Sequence, residues 1–283
     1  MKHHCAIALL AVTLSVVSLN AQMNSVTGPG NLMSTEVLAP AAGRGPGAFG
    51  SFWNTDLWIK GTQGSTVTLE FHAIDSTSDS ATATAQIVLS SPVMYLPDVM
   101  KATFGLDQGL GNILMRSTRA LSATIRVFAR AGTGSYGSTF MAMPTSMAMR
   151  GSGGMMRDDD QYQMYVLGLL PEPQARVNVM ITNASAVAIN GTMDVLDADG
   201  SVPSGGSASM PFSIRAYSSH QFGGVLSNVT SRFGTGAGLQ VRVRLDDGST
   251  GMMMVVASVV DNVTNDTYTV MGSMMDGQRA MMP

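Results

Sequence analysis

Thr66-Val67-Thr68-Leu69-Glu70-Phe71 is the stretch that decides the fold class of this 283-residue chain. Its apolar residues alternate with polar ones, so they fall on one face of an extended strand. Residues 123–130 and 239–245 alternate in the same way. Strands that are apolar on one side only are typical of antiparallel sheets, which bury one face and expose the other. Because glycine-rich turns separate these strands, the sequence predicts an all-β protein.

The same order of segments occurs twice. Val37-Leu38-Ala39 precedes residues 53–59 and an alternating strand that ends in an acidic turn, and Val166-Leu167-Gly168 precedes residues 176–181 and a similar strand and turn. Each copy later contains a Phe-Gly pair. A separation of roughly 120 to 130 residues is too long for a solenoid repeat and indicates a duplicated domain.

Helical signals are confined to short turns around residues 97–104 and 222–233, in matching places of the two copies. We therefore predict two tandem antiparallel β-sandwich domains related by internal duplication, after a cleaved signal peptide. The predicted boundaries are a signal peptide at 1–21, a flexible segment at 22–33, domain 1 at 34–140, a Met/Gly-rich linker at 141–161, domain 2 at 162–272 and a flexible tail at 273–283.

The first residues predict export. Lys2 precedes an apolar run over residues 6–19, and Leu19-Asn20-Ala21 supplies small residues for cleavage. The alternative is an uncleaved anchor, but the run is short for a bilayer span, and no later stretch is long and apolar enough to be one. The mature protein is thus expected to be secreted, to the periplasm or the exterior, without a transmembrane segment. The only cysteine, Cys5, lies inside the signal, which excludes disulfides from the mature chain.

Charge argues against nucleic acid as a partner. Charged residues make up only 12% of the chain, and the net charge is −3. Binding to phosphate backbones requires a concentration of basic side chains that this sequence lacks.

Three segments resemble motifs of a group of uncharacterised exported bacterial tandem β-sandwich proteins. They are Asn54-Thr55-Asp56-Leu57-Trp58-Ile59, Gly134-Ser135-Tyr136-Gly137 and the residues 257–266 that begin Ala257-Ser258-Val259-Val260-Asp261. This resemblance covers nearly the whole mature chain. One repeat at a time, the order of segments is also distantly similar to the small β-sandwich of the sensory-rhodopsin-transducer-like family. Neither resemblance implies a catalytic motif; the second implies a binding role by analogy with carbohydrate-binding sandwiches.

Aromatic and arginine side chains on a sheet face are the candidate ligand-binding residues. Trp58 falls on the polar face of its strand, where an aromatic ring can stack on a sugar or a partner surface. The candidate set is Trp53, Trp58, Arg126 and Arg130. The alternatives are that the tryptophans pack against the neighbouring sandwich and that the arginines form ordinary cross-strand ion pairs.

Methionine is unusually frequent, with 24 residues. Thioethers are soft donors that suit Cu(I), and surface methionines also consume oxidants reversibly. The candidate metal ligands lie in the predicted linker and are Met141, Met143, Met147 and Met149. The alternative is that methionine replaces Leu, Ile or Val as core filler, as we expect for residues 252–254.

Catalytic motifs are missing from the sequence. Only His72 and His220 remain after signal removal, and His72 is predicted on the polar face of its strand. Neither a Gly-x-Ser-x-Gly elbow nor a His-Glu-x-x-His helix occurs. We therefore expect an exported non-catalytic binding or structural protein of the cell envelope or exterior that recognises a glycan or a protein partner and needs no cofactor. The alternatives are a Met-rich copper-binding or oxidant-buffering protein and a hydrolase with an unrecognised site.

Overall fold

The predicted alternation is realised in antiparallel strands. The computed structural model describes residues 32–47, 50–131, 134–152, 163–169, 175–197, 200, 209–225, 239–261 and 267–274, all of which belong to one structural unit. Strands make up 68% of these residues and helix only 5%, and every strand pair is antiparallel, so the predicted all-β antiparallel class is confirmed. The predicted signal peptide, residues 22–31, residues 153–161 of the predicted linker, residues 226–233 of the second predicted helical turn and residues 275–283 lie outside the described residues.

The first half of the fold contains eight described strands and one short helix. They are β1 (Ser34–Pro46), β2 (Phe52–Lys60), β3 (Thr66–Ala73), β4 (Ala83–Val88), β5 (Val93–Leu96), α1 (Val99–Ala102), β6 (Gly109–Ala131), β7 (Gly134–Met141) and β8 (Met143–Pro144). The strand order is β4-β3-β6-β1-β2-β5, with β7 paired to β6 and β8 to β1. The helix confirms the short helical turn that the sequence predicts there.

Strand β6 holds the two layers of the first half together. Up to Ser117 it pairs with β1 and β3, and from Ser122 onward it pairs with β2 and β7. The exposed residues 118–120 lie between these parts. Side chains from both layers meet in one core, which includes Leu57, Leu69, Phe71, Ile113 and Ile125. Each such buried side chain contributes about 1.5–3 kcal/mol of hydrophobic stabilisation.

The second half contains ten described strands in two five-stranded sheets. They are β9 (Met149–Arg150), β10 (Gln163–Leu169), β11 (Ala175–Asn183), β12 (Ile189–Leu196), β13 (Ser209–Ile214), β14 (Ser219–Phe222), β15 (Leu239–Leu245), β16 (Met252–Asp261), β17 (Thr267–Met271) and β18 (Ser273–Met274). One sheet has the order β13-β12-β15-β10-β18, the other β14-β11-β16-β17 with β9 on β16. Their inner faces share one core.

Strand pairing repeats between the halves. Strand β1 pairs with β6 and β8, as β10 pairs with β15 and β18. Strand β2 pairs with β5 and β6, as β11 pairs with β14 and β16. Strand β3 pairs with β4 and β6, as β12 pairs with β13 and β15. Together β15 and β16 take the place of the long strand β6. This correspondence supports the duplication that the sequence indicates.

A shared irregularity corrects the alignment of the first strands. In β1 a register shift separates Ala39 from Ala42, and in β10 an equivalent shift separates Val166 from Leu169. Ala39 is therefore the counterpart of Val166, whereas the sequence comparison matched Val37 with Val166. The error is two residues, so each side chain stays on the predicted face of its strand.

The described part of the predicted linker contains two short strands that join the sheets. Strand β8 pairs with β1, a single 3-10 turn follows at Thr145–Met147, and β9 pairs with β16. Met149 is only 2% exposed and belongs to the core of the second half. The linker prediction is wrong for residues 143–150 because their apolar side chains pack into the fold.

The halves also pack against each other. A third apolar cluster joins Leu38 and Leu114 of the first half to Ala184 and Met254 of the second. Since both sides of β1 are covered here, residues 37–40 are all buried. Among the described residues, no helix has the length and apolar character needed to cross a bilayer.

Candidate functional site

The outward side of β5, β2, the second part of β6, and β7 forms an exposed surface that we call the first outer face. Strand register places four of its side chains in one row across the sheet, in the order Tyr95, Trp58, Thr124 and Met141. Tyr95 is 48% exposed and Met141 45% exposed. The row is therefore an accessible apolar stripe with an aromatic pair at one end.

Trp58 and Tyr95 form the most ordered feature of this face. Their rings stack with centroids 4.9 Å apart and an interplanar angle of 23°. The buried Asp56 carboxylate accepts hydrogen bonds from the Tyr95 hydroxyl and from the backbone N–H of Asp98, both at 2.9 Å. The hydrogen bond to Asp56 raises the pKa of Tyr95 above its usual value. The carboxylate thus fixes the tyrosine ring against the tryptophan.

Two arginines lie on the same face. Arg126 lies opposite Asp56 in the strand register, holds its guanidinium 4.5 Å from the centroid of the Phe128 ring, and donates a hydrogen bond of 2.7 Å to the Ser135 hydroxyl. Arg130 is exposed further along the strand. The structure therefore brings three of the four predicted ligand-binding residues, Trp58, Arg126 and Arg130, onto one surface.

Trp53 does not belong to this surface. It lies on the opposite side of β2 from Trp58, as the alternation of a strand requires, and makes an edge contact with Tyr136 at 5.6 Å. It lines a largely apolar cavity of about 370 Å³ between the two halves. The inclusion of Trp53 in one site with Trp58 is thus wrong, and the packing alternative describes it better. Tyr95 carries no local sequence signal of this role, because only the pairing of β5 with β2 places it beside Trp58.

One wall of the cavity is formed by one end of the first sandwich, which we call the open end of the first half. It includes Ala41 and Gly43 of β1 and the inward side chains of Trp53, Val127, Ser138 and Phe140. The other wall is the outward side of β11, β14, β16 and β17, which we call the second outer face. It contributes Asn178, Met180, Gln221, Val256, Ser258, Val260, Thr267 and Thr269. The Ser138 hydroxyl is buried and lacks a hydrogen-bond partner. The first half thus closes over the sheet of the second.

The two outer faces are equivalent surfaces of the duplicated fold. In each half the same hydrogen bond occurs: Asp98 N–H donates to Asp56 in the first half, and Gly224 N–H donates to Asn178 in the second, at 3.1 Å. Strand register then gives the counterparts of the first outer face. They are Asn178 for Asp56, Met180 for Trp58, Gln221 for Tyr95 and Ser258 for Arg126. The second outer face is covered, with Met180 only 6% exposed, whereas on the first outer face the described residues leave Tyr95 and Met141 exposed.

Polar contacts also hold the halves together. The Asn112 side chain donates to the backbone carbonyl of Tyr217 and to the Ser219 hydroxyl, both at 2.8 Å. The Thr182 hydroxyl lies 2.9 Å from that of Ser219 and donates to the carbonyl of Pro40. This network ties the two outward surfaces together and gives the Asn112 amide N–H groups and the hydroxyls of Thr182 and Ser219 hydrogen-bond partners inside the contact.

His72 lies in the same contact. It does project from the predicted polar face of β3, but that face is covered by the second half, so His72 is 2% exposed and its ring lies against Tyr217. Burial lowers the pKa of His72 below its usual value, although Glu70 partly opposes the shift. The predicted strand face is therefore correct, but it is not wet, because the second half covers it.

His220 forms the only feature that resembles catalytic geometry among the described residues. Its Nδ1 pairs with the carboxylate of Asp75, as in the Asp–His part of a serine hydrolase. The neighbouring serines are otherwise engaged: the Ser218 hydroxyl donates to the carbonyl of Ala73, and the Ser219 hydroxyl bonds to Asn112 and Thr182. The described hydrogen bonds join no serine hydroxyl to His220.

The four candidate metal ligands do not converge. Met141 is exposed on the first outer face, Met143 packs against the apolar cluster between the halves, and Met149 lies in the core of the second half. Met147 is half-buried beside the 3-10 turn. Within the described ranges, no group of three or more His, Cys, Asp or Glu residues could hold a metal ion either. The expected core role is confirmed for Met253 and Met254, which are buried, whereas Met252 is only partly buried against the cluster between the halves.

Arginines on the second half follow the cross-strand alternative. Arg242 and Arg244 both contact the buried carboxylate of Asp194, at 2.9 and 3.1 Å. Burial alone would raise the pKa of Asp194, but hydrogen bonds from Ser209 and Arg242 hold it below its usual range. In the first half, Glu70 and Arg116 occupy the places of Asp194 and Arg244 and form the equivalent ion pair.

Comparison with known proteins gives no relative. No protein-family model matches the chain, and neither a curated protein nor a solved structure shows significant similarity to it.

Proposed function

We propose that this chain is an exported, non-catalytic binding protein of the cell envelope or exterior, and that its first outer face recognises a protein partner. The observation that carries the proposal is the contrast between two equivalent faces. The second outer face is covered by protein of the same chain, whereas the first carries a stacked Trp58–Tyr95 pair and remains exposed.

The chemistry of the first outer face favours this role. Tryptophan, tyrosine, methionine and arginine are enriched at the centres of protein interfaces, where lysine, aspartate and glutamate are depleted. The face presents Trp58, Tyr95, Met141, Arg126 and Arg130, and the carboxylate of Asp56 beneath them is buried. Its one exposed lysine among the described residues of β2, Lys60, lies at the end of that strand. Because Asp56 and the ring stack already fix Tyr95, little side-chain entropy is lost when a partner binds.

A protein partner suits this geometry better than a glycan. Sugar rings stack on open aromatic faces, but Trp58 and Tyr95 cover one face of each other. We call this stacked pair the ridge; it leaves at most one face of each ring open to a sugar. In addition, the equivalent surface of the second half is occupied by protein.

Site-specific photocrosslinking in cells of the source organism tests the proposal. A photoreactive phenylalanine analogue replaces Tyr95 in one variant and Met141 in another. The control variant carries the analogue at Val187, which is 46% exposed in the second half. We expect a discrete protein adduct from positions 95 and 141 and none from position 187, and Arg126→Ala should lower the adduct yield.

Two outcomes would overturn this function. Equal or absent adducts at all three positions would remove the first outer face as a protein-binding surface. A glycan array signal that Tyr95→Ala abolishes, without any protein adduct, would assign the face to carbohydrate instead.

A further inference from the structure

The contact between the halves joins two different kinds of surface. In one part of this contact, Leu38 and Leu114 on the outward side of β1 and β6 pack on Ala184 and Met254. In the other part, the first half contributes its open end, with Pro40, Ala41 and Ser138, and the second half contributes its outer face, with Met180 and Thr182. Strand β7 of the first half lies beside β17 of the second. Such a contact is heterologous, because the two partners use different patches.

Each half has both kinds of surface, since the fold is duplicated. The register of β10 with β15 makes Leu167 the counterpart of Pro40 and Gly168 the counterpart of Ala41. The register of β17 with β16 makes Tyr268 the counterpart of Ser138. One pair of surfaces is used inside the chain, which leaves the open end of the second half and the first outer face without a partner within the described residues.

Both remaining surfaces expose large apolar side chains, and the first outer face also carries Arg126 and Arg130. Leu167 is 45% exposed and Tyr268 is 42% exposed, and the Tyr268 hydroxyl donates a 3.0 Å hydrogen bond to the carbonyl of Gly168, which holds the two side chains at one site. In the first half the counterparts of these residues are covered: Pro40 is buried and Ser138 is 9% exposed. Exposed apolar groups at positions that the repeat covers elsewhere mark an interaction surface.

We propose that the open end of the second half docks on the first outer face of another copy of this chain, in the arrangement that joins the two halves internally. The proposal rests on the proposed function and names its partner. In this arrangement Tyr268 takes the place of Ser138 and faces the ridge of Trp58 and Tyr95, as Ser138 faces the side of the sheet that carries Met180. Repetition of a heterologous contact gives a ring or an open filament.

Sedimentation velocity of the mature chain over a wide range of protein concentrations tests self-association. We expect oligomers that grow with concentration. The acceptor variant carries Tyr95→Ser and Trp58→Ala, and the end variant carries Leu167→Ser and Tyr268→Ser. In each variant the association should be weakened at least about tenfold, so that each is monomeric at concentrations where the wild type forms oligomers. Val187→Ser is the matched control for an exposed apolar residue and should associate like the wild type. Circular dichroism confirms that each variant is folded.

Mixing the two variants gives the decisive readout. An equimolar mixture retains one intact pair of surfaces, so a head-to-tail contact predicts a 1:1 dimer that cannot grow further. A contact through the same patch on both copies gives no such rescue. A monomeric wild type at all concentrations, or variants that still form oligomers alone, would overturn the inference. If photocrosslinking at position 95 captures a different protein instead of residues 163–169 or 267–274 of this chain, the proposed function stands and this inference fails.

Discussion

The two outer faces of this protein are equivalent in backbone and opposite in use. The second lies under the open end of the first half, where Met180 and Val256 are 6% and 3% exposed. The first presents Tyr95 to solvent at 48% exposure. Duplication therefore preserved strand order, register and a hydrogen bond from the loop after the edge strand, but it did not preserve what each face meets. Function is best sought where the copies differ.

The side chains explain why only one face is covered. Methionine, glutamine and serine at Met180, Gln221 and Ser258 adapt to a surface laid over them. At the positions equivalent to Met180 and Gln221, the first half has the stacked rings of Trp58 and Tyr95. A sandwich end that fits the second face therefore does not fit the first without a different set of contacts, as Leu167 and Tyr268 would supply.

Leucine truncation should give the largest difference between covered and free surfaces. Leu38 and Leu167 both point outward from equivalent strands, but Leu38 is fully buried between the halves and Leu167 is 45% exposed. Leu38→Ala should lower the free energy of unfolding by about 2–5 kcal/mol. Leu167→Ala should change it by no more than about 0.5 kcal/mol. Urea denaturation of monomeric samples measures both, and similar losses would show that the halves are not packed as described.

Replacement of His72 should change how stability depends on pH. Burial lowers the pKa of His72 in the fold, so the unfolded chain, with a pKa near 6.5, binds more protons at mildly acidic pH. The contribution of neutral His72 to the free energy of unfolding is therefore present above pH 6.5 and is lost as the pH falls through the lowered pKa of His72 in the fold. Leu196 occupies the equivalent place in the second half and is 1% exposed. As the pH is lowered from 7 to 5, the free energy of unfolding should fall less in His72→Leu than in the wild type.

Thermal denaturation at several pH values measures this difference. Glu70, Arg116 and Tyr217 surround His72 and are unchanged in the variant, as is the exposed pair of His220 with Asp75. The difference between the two curves therefore isolates His72. Parallel curves would mean that His72 is already solvated in the fold.

The smallest effect concerns the cavity wall. Because the Ser138 hydroxyl is buried without a partner, Ser138→Ala should leave the free energy of unfolding unchanged or raise it by up to about 1 kcal/mol. Ser219→Ala is the control, since that hydroxyl bonds to Asn112 and Thr182, and it should destabilise by about 1–3 kcal/mol. A clear loss in Ser138→Ala would indicate that a bound molecule or water satisfies the hydroxyl.

Much of the fold followed from local pattern. The alternation in residues 66–71 predicted which side chains of β3 enter the core, and Val67, Leu69 and Phe71 are indeed buried. The same holds for the alternating residues of β15. Two-residue periodicity needs no knowledge of neighbouring strands, because the pleat alone sends successive side chains to opposite sides. The same rule would have placed Trp53 and Trp58 on opposite faces.

The candidate site followed only in part. The sequence correctly predicts Trp58 on the polar side of β2 and Arg126 and Arg130 on the outward side of β6. Tyr95, however, lies about 40 residues from Trp58 in the sequence and reaches it only through strand pairing. The methionines of β8 and β9 were placed in a linker because their short strands pair with distant partners, β1 and β16. Composition alone does not distinguish such segments from flexible chain.

By itself, the sequence determined the all-β class, the duplication and the face on which each alternating side chain lies, because these depend on interactions within a few residues or on similarity between the copies. Only the tertiary structure decided which outward faces are wet. Whether a polar strand face meets water or a second sheet depends on how two halves pack. That is why His72 is buried and Tyr95 is exposed, although both project from the outward side of a strand.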